Sequence, residues 1–244
     1  MNARSIPRKK GLKVIILKNV KPSVSSFFSK FNAISKKYVN TEGAKNLSVD
    51  GTGILPSVDK STSEQILNFI KLIFVTNNKF PLNVLDVGAG VGHLQKLADL
   101  DPFFNMYSFE GCSDLIKHFV CNKSRIAICD LTQNISDIQI KKAFHLTTSF
   151  EVLEHIHRSK MDIFWDNMKF LSDYHLCSIH CANRTSTEHC TIQSQKVWED
   201  YFEKRNIIFN RLGNYPVTKE NNEFRDYTGL HNWKFSAFYL LRLN

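Results

Sequence analysis

The sequence is short of apolar runs. Stretches such as Val14–Leu17 and Leu72–Val75 stop after four residues, far below the roughly 20 that a membrane helix needs. No apolar signal-peptide core follows the N-terminus, so neither membrane insertion nor secretion is expected. Glycine and proline are sparse, at 10 and 6 of 244 residues, which excludes collagen-like and low-complexity polymers. Six cysteines without a secretory signal imply reduced thiols and a cytoplasmic location rather than a disulfide framework. One region lacks acid altogether, because residues 1–41 contain neither Asp nor Glu.

What is present is a globular composition, 43% hydrophobic with 19 Phe, enough for one sizeable domain plus an arm. Its charge is unevenly placed. Residues 1–60 carry 12 Lys+Arg against Glu42, Asp50 and Asp59, whereas residues 61–244 carry 20 Lys+Arg against 20 acids. The whole excess of +9 therefore sits on the first quarter. A one-sided basic segment suits a polyanionic partner, nucleic acid before an anionic membrane, and its alternative is a solvated charged face.

Two parts are expected: a basic N-terminal extension over 1–60 and a domain over 61–244. In the extension, Lys13–Lys18 reads as a strand. Phe27, Phe28 and Phe31 fall at helical spacing after Pro22, which suits core packing more than base stacking. Residues 39–60 read as a loop, and Ser61–Val75 as a helix. Strands then alternate with helices. The strands are expected at Asn83–Val87, Asn105–Glu110, Arg125–Cys129, Phe144–Ser149 and Tyr174–Cys181. The helices are expected at Gly92–Leu100, Ser113–Val120, Lys160–Leu171 and Gln193–Arg205. That rhythm implies α/β: an open, mostly parallel sheet with helices on both faces. Ile207–Leu212 and Lys234–Leu243 complete it as a hairpin with a terminal antiparallel strand, seven strands in all.

The sharpest motif is Asn83-Val-Leu-Asp-Val-Gly-Ala-Gly-Val-Gly-His-Leu94. An apolar strand runs into Gly88, Gly90 and Gly92, and a helical pattern follows. Glycines there let the backbone turn sharply and approach a ligand, and the following helix offers N–H groups. Asp86 changes the reading. A carboxylate at that strand end repels a pyrophosphate but can organise the ammonium end of an amino acid.

This combination resembles the S-adenosylmethionine (SAM) loop of the class I, Rossmann-like methyltransferases, and the resemblance extends over roughly residues 60–244. In that family an acid ending the second strand binds the ribose hydroxyls, which points to Glu110 in Ser108-Phe-Glu110. An acid after the third strand faces the adenine amine, which points to Asp130 in Cys129-Asp130-Leu131. Thr148-Ser-Phe-Glu-Val-Leu-Glu-His155 is similar to the active-site stretch after the fourth strand in one broad branch. The resemblance implies SAM as cofactor, with S-adenosylhomocysteine as product. The implied contacts are Asp86, Gly88, Ala89, Gly90, Gly92, Glu110, Gly111, Asp130, Leu131 and Ser149, with Glu151 and His155 as catalytic positions and no metal. A NAD-binding domain, or a methyltransferase-like domain that only binds a partner, is the alternative.

The acceptor follows by elimination. The segment Ser149-Phe-Glu-Val is not the Asn/Asp-Pro-Pro-aromatic motif used for exocyclic base amines. No Pro-Cys pair supplies the nucleophile needed for cytosine C5. Glu151 and Asn183-Arg184 depart from a ribose 2′-O tetrad. Guanine N7 is already a nucleophilic lone pair and loses no proton, so positioning and electrostatics suffice. An RNA cap guanine-N7 acceptor is therefore expected, although the Gln-Phe…His-Tyr signature of cellular cap enzymes is missing. Arg8, Lys9, Lys10 and Lys13 would contact RNA phosphates, and Tyr215, Tyr227 and Trp233, with Phe224, would stack a purine. The rival is a small-molecule or glycan O- or N-methyltransferase with Glu151, His155 or His189 as general base. His175, Cys177, His180, Cys181, His189 and Cys190 supply zinc-ligand atoms, but their spacing does not repeat. Strand alternation puts Cys177 and Cys181 in the core.

Overall fold

The computed structural model describes residues 15–17, 21, 25, 28, 60–76, 80–136, 140–181, 191, 193–212 and 236–244. In chain order these form β1 (Ile15–Leu17), α1 (Lys60–Ile73), β2 (Phe74–Thr76), β3 (Leu82–Val87), α2 (His93–Ala98), β4 (Phe104–Glu110) and β5 (Ile126–Ile128). They continue with β6 (Leu146–Phe150), α3 (Met161–Leu171), β7 (Tyr174–His180), α4 (Gln195–Lys204), β8 (Ile208–Arg211) and β9 (Ser236–Arg242).

Seven strands make the main sheet in the order β5-β4-β3-β6-β7-β9-β8. β5, β4, β3, β6 and β7 are mutually parallel, while β9 runs antiparallel to both β7 and β8. This is the expected Rossmann-like architecture, with the terminal antiparallel strand inserted beside β7. The order reverses direction between β3 and β6, which opens a crevice at the carboxyl ends of the strands.

Both faces of the sheet are covered, so its central strands carry apolar residues on both sides. Every residue of β3 is buried. Leu85, Tyr107, Cys177 and Tyr239 belong to one core, with Phe164 and Trp165 of α3 and Phe202 of α4. Val84, Met106, Leu146, Leu176 and Leu240 belong to the other, with Ile66, Ile70 and Ile73 of α1 and Leu94 and Ala98 of α2.

Part of the N-terminal segment is built into this body. β1 pairs in parallel with β2, Ile15 opposite Phe74. Phe28 is fully buried and stacks on Tyr107 with ring centroids 4.4 Å apart. That is the core role expected of it.

Two expectations are corrected. The helix expected over Ser61–Val75 ends at Ile73, and Phe74–Thr76 becomes a strand. The helix expected over Ser113–Val120 is a 3₁₀ helix, Ser113–His118. The span between β4 and β5 is short and must bring Val120 back to donate its N–H to the Val91 carbonyl (2.9 Å). The tighter 3₁₀ turn accommodates that return.

Candidate functional site

The glycine loop leaves β3 in left-handed steps, with φ of 69° at Gly88, 57° at Gly90 and 85° at Gly92. At Gly88 and Gly92 side chains are excluded twice over. A Cβ on Gly88 would lie 2.5 Å from Val152 Cγ2, and one on Gly92 would lie 2.4 Å from Cys121 Sγ. The N–H groups of Gly88 and Ala89 donate to the Phe109 carbonyl at 2.9 and 3.3 Å, which ties the loop to the end of β4.

Glu110 closes that end. Its carboxylate accepts from the Gly90 N–H at 2.7 Å and from the Cys112 N–H at 2.8 Å. Asp86, one residue before the end of β3 and opposite Ser108 in register, accepts from the Thr148 hydroxyl at 2.7 Å. Both acids are buried, and burial pushes both carboxyls up to about 7. Hydrogen bonds to the anions oppose the shift, while Glu110 adds repulsion at Asp86. Asp130 lies just past β5, also buried, and its carboxylate accepts from the Thr132 N–H at 2.8 Å. Its loop is clamped by Asn167 of α3. The Asn167 amide donates to the Leu131 and Gln133 carbonyls (2.9 and 2.7 Å) and accepts from the Ile135 N–H (3.2 Å).

The structure thus gathers Asp86, Gly88, Ala89, Gly90, Gly92, Glu110 and Asp130 at the carboxyl ends of three adjacent parallel strands. Gly111 sits beside Glu110 with open space around its Cα. Leu131 is buried in the core. The side chain of Ser149 faces elsewhere: its hydroxyl is 2.8 Å from His175 Nε2, and Thr147 holds Nδ1 of the same ring at 2.8 Å. Burial lowers that imidazole to about 3, so it is a neutral core group. Thr148, not Ser149, is the β6 residue that touches the acids. Alternation along β6 signals this once the register Asp86↔Thr148 is known.

Glu151 stands at the end of β6 with φ of 56°, a conformation that is rare and strained for a residue with a side chain. The Ser178 hydroxyl donates to Glu151 Oε1 at 2.7 Å, and the Glu151 N–H donates to Ser178 Oγ at 3.0 Å. His180 Nδ1 is 3.6 Å from Oε2. Burial works to raise this carboxyl, yet hydrogen bonds from His180, Ser178 and Ser236 outweigh it and hold Glu151 below the usual carboxylate range. Glu154, fully buried one turn on, moves the other way, raised well above the usual range by burial and by the charge on Glu151. The two neighbouring carboxyls are thus shifted in opposite directions. His155 is half-buried in the 3₁₀ turn Leu153–His155. The partners of Glu151 were not legible as such, because β7 and β9 deliver them from distant sequence.

The Cys/His cluster divides between the faces of β7. Cys177 and Cys181 are core thiols that burial raises well above the usual value and to about 12, respectively. His180 faces Glu151. Among the described residues no group of three or more His, Cys, Asp or Glu side chains is placed to hold a metal ion. His189, Cys190, Asn183, Arg184, Arg8, Lys9, Lys10, Lys13, Phe27, Phe31, Tyr215, Phe224, Tyr227 and Trp233 lie outside the described residues. No helix among the described residues is long and apolar enough to cross a membrane.

The donor set fits SAM. Buried acids beside left-handed glycines suit a ligand with cationic and hydroxyl groups and oppose a pyrophosphate. No protein-family model matches the chain, and no curated protein sequence matches it. Solved structures do. The methyltransferase domain of bacterial CtHen1 (CN) superposes with a TM-score of 0.53 at 13% identity, covering 76% of this chain and 100% of that one. A SAM-dependent methyltransferase from Archaeoglobus fulgidus gives 0.51 at 12% identity, covering 75% and 92%. The PH0226 protein from Pyrococcus horikoshii gives 0.51 at 11% identity, covering 88% and 99%. At these identities the likeness concerns the backbone, and it agrees with the strand order and the glycine loop: this chain has the Rossmann-like fold of SAM-dependent methyltransferases.

Proposed function

We propose that the protein is a SAM-dependent methyltransferase whose acceptor is RNA, with the cap guanine N7 as the methylated atom. One observation supports the methyl-transfer reading above all. Three buried acids, Asp86, Glu110 and Asp130, lie at or near the carboxyl ends of three adjacent parallel strands, beside a glycine loop in which Gly88 and Gly92 leave no room for a side chain. In this reading Glu110 binds the ribose hydroxyls, Asp130 and Leu131 hold the adenine, and Asp86 orders the loop around the amino-acid end. Bound SAM supplies a methyl group made electrophilic by its sulfonium centre.

Support for RNA comes from the basic segment 1–60, with 12 Lys+Arg against 3 acids, a charge that a neutral acceptor does not call for. Guanine N7 gains positive charge on methylation and loses no proton. Val152 packs against Gly88, so its neighbour Glu151 lies beside the glycine loop. A carboxylate kept anionic there by Ser178 and His180 stabilises such developing charge without acting as a base.

The same carboxylate favours a second reading, a small-molecule or glycan hydroxyl or amine whose proton Glu151 accepts. Methyl-tritiated SAM offered in parallel with capped RNA, uncapped RNA and a metabolite mixture separates the two. The first reading expects label in capped RNA alone, recovered on guanine N7 after digestion. Label confined to metabolites overturns the RNA acceptor, and no label in any arm overturns methyl transfer.

A further inference from the structure

The segment that follows β6, residues 151–160, reads Glu-Val-Leu-Glu-His-Ile-His-Arg-Ser-Lys. As sequence its charges look interleaved and self-neutralising. The fold sorts them. Glu154 is fully buried and Glu151 is held inward by Ser178 and His180, whereas His157, Arg158, Ser159 and Lys160 are four consecutive exposed residues. The fully exposed part of this segment, residues 157–160, carries two cations and no acid.

The local bonds aim it further. The Ser159 N–H donates to His157 Nδ1 at 3.3 Å, and the Ser159 hydroxyl lies 2.8 Å from the same atom. With Nδ1 occupied as an acceptor of the Ser159 N–H, the ring N–H of the exposed His157 is at Nε2. The Lys160 N–H donates back to the His157 carbonyl at 2.8 Å, which closes the turn into the 3₁₀ helix Arg158–Lys160.

The nearest acids in sequence, Asp162 and Asp166, are committed elsewhere. Arg205, the residue that follows α4, holds Asp162 at 2.7 Å and Asp166 at 2.5 Å, and the Tyr201 hydroxyl donates to Asp162 at 2.6 Å. Some other exposed or half-exposed cations are paired, Arg125 with Asp99, Lys142 with Asp173 and Arg211 with Glu199. Among the described residues neither Arg158 nor Lys160 has such a partner.

Thr191 holds the residues that precede the cationic turn. Its N–H donates to the Glu154 carbonyl at 2.9 Å and its hydroxyl to the Ile156 carbonyl at 2.6 Å. The cationic turn therefore follows the carboxyl end of β6 closely, six to nine residues beyond Glu151, within about 32 Å of it even for an extended chain.

We infer that His157, Arg158 and Lys160 form a phosphate-contacting turn that seats the backbone of a single-stranded polynucleotide beside the acceptor position at Glu151. The inference rests on the RNA reading of the site and adds to it a surface on the domain body, separate from the basic N-terminal segment. Phosphates are the matching chemistry because two cations and one ring N–H bind successive charges along a chain, with release of counterions.

The test is anisotropy titration of a labelled single-stranded RNA over a range of salt concentrations, on the full chain with Arg158→Ala and Lys160→Ala combined. Roughly 0.7 is lost from the log–log salt slope per phosphate contact removed, so a fall of about 1.4 is expected. SAM affinity should stay unchanged, and KM for RNA should rise with kcat retained. The charge-preserving pair Arg158→Lys and Lys160→Arg should keep the wild-type slope. If wild type binds RNA and the alanine pair leaves the slope unaltered, the turn is a solvated face and the inference is overturned while the RNA reading stands. If wild type shows no salt-dependent RNA binding, the RNA reading fails and the turn's role with it.

Discussion

Replacing Gly92 by Ala tests how the glycine loop is built. Gly92 is the residue before α2, with φ of 85° and ψ of 30°. An alanine forced into that left-handed conformation costs about 1–2 kcal/mol. Its methyl group would also meet Cys121 Sγ at 2.4 Å and Cys121 Cβ at 3.0 Å. Cys121 can rotate only about χ1, and its main chain follows Val120, which is tied to the Val91 carbonyl. Overpacking of this kind costs about 1–3 kcal/mol, so the total should be about 2–5 kcal/mol. Urea unfolding of four proteins (wild type, Gly92→Ala, Cys121→Ala and the double variant) separates the two costs. In the Cys121→Ala background the glycine substitution should cost about 1–3 kcal/mol less, because the sulfur is gone while the φ strain remains. A Gly92→Ala protein within about 0.5 kcal/mol of wild type, or an equal cost in both backgrounds, refutes the reasoning.

Three further outcomes are expected. Asn167→Ala removes three hydrogen bonds from the loop behind Asp130; at about 1 kcal/mol each it should lose about 3 kcal/mol of stability in denaturant unfolding, and a loss near zero contradicts the clamp. Asp86 and Glu110 are raised from 3.8 and 4.5 to about 7, so the stability they contribute is complete below pH 4 and is lost as pH rises through about 7. A cationic cofactor favours their ionised forms, so the rise in melting temperature on adding SAM should be larger at pH 8 than at pH 6, and an equal rise counts against these two acids. Glu151→Gln should lower the rate of RNA methylation by a similar factor across pH 6–9 if the acceptor is guanine N7; disappearance of an acid limb in that variant favours the hydroxyl or amine reading.

Local patterns made most of the sheet legible. β3 to β7 lie within two residues of their expected bounds, because each is a short apolar run between turn residues or helical spacing. The acids Asp86, Glu110 and Asp130 were legible for the same reason, since each lies at or near a strand end. What failed to show depends on long-range pairing. Phe74–Thr76 continues the helical spacing of α1, and only its pairing with Ile15–Leu17 turns it into a strand. Thr148 becomes the partner of Asp86 through the register of β3 and β6. Ser178, His180 and Ser236 reach Glu151 from β7 and β9, where Ser236 stands opposite His180. The Ser149 hydroxyl meets His175, while Thr148 meets Asp86, because successive strand residues face opposite sides.

The central claim is that Asp86, Glu110 and Asp130 with their glycine loop form a SAM site. Calorimetric titration of SAM into the wild type and a folded Glu110→Ala variant tests it most directly. Loss of two charge-assisted hydrogen bonds to the ribose, each about 1.5–3 kcal/mol, predicts saturable one-to-one binding by the wild type and at least a hundredfold weaker binding by the variant. Equal affinity in the two proteins, or no binding by the wild type, contradicts the assignment.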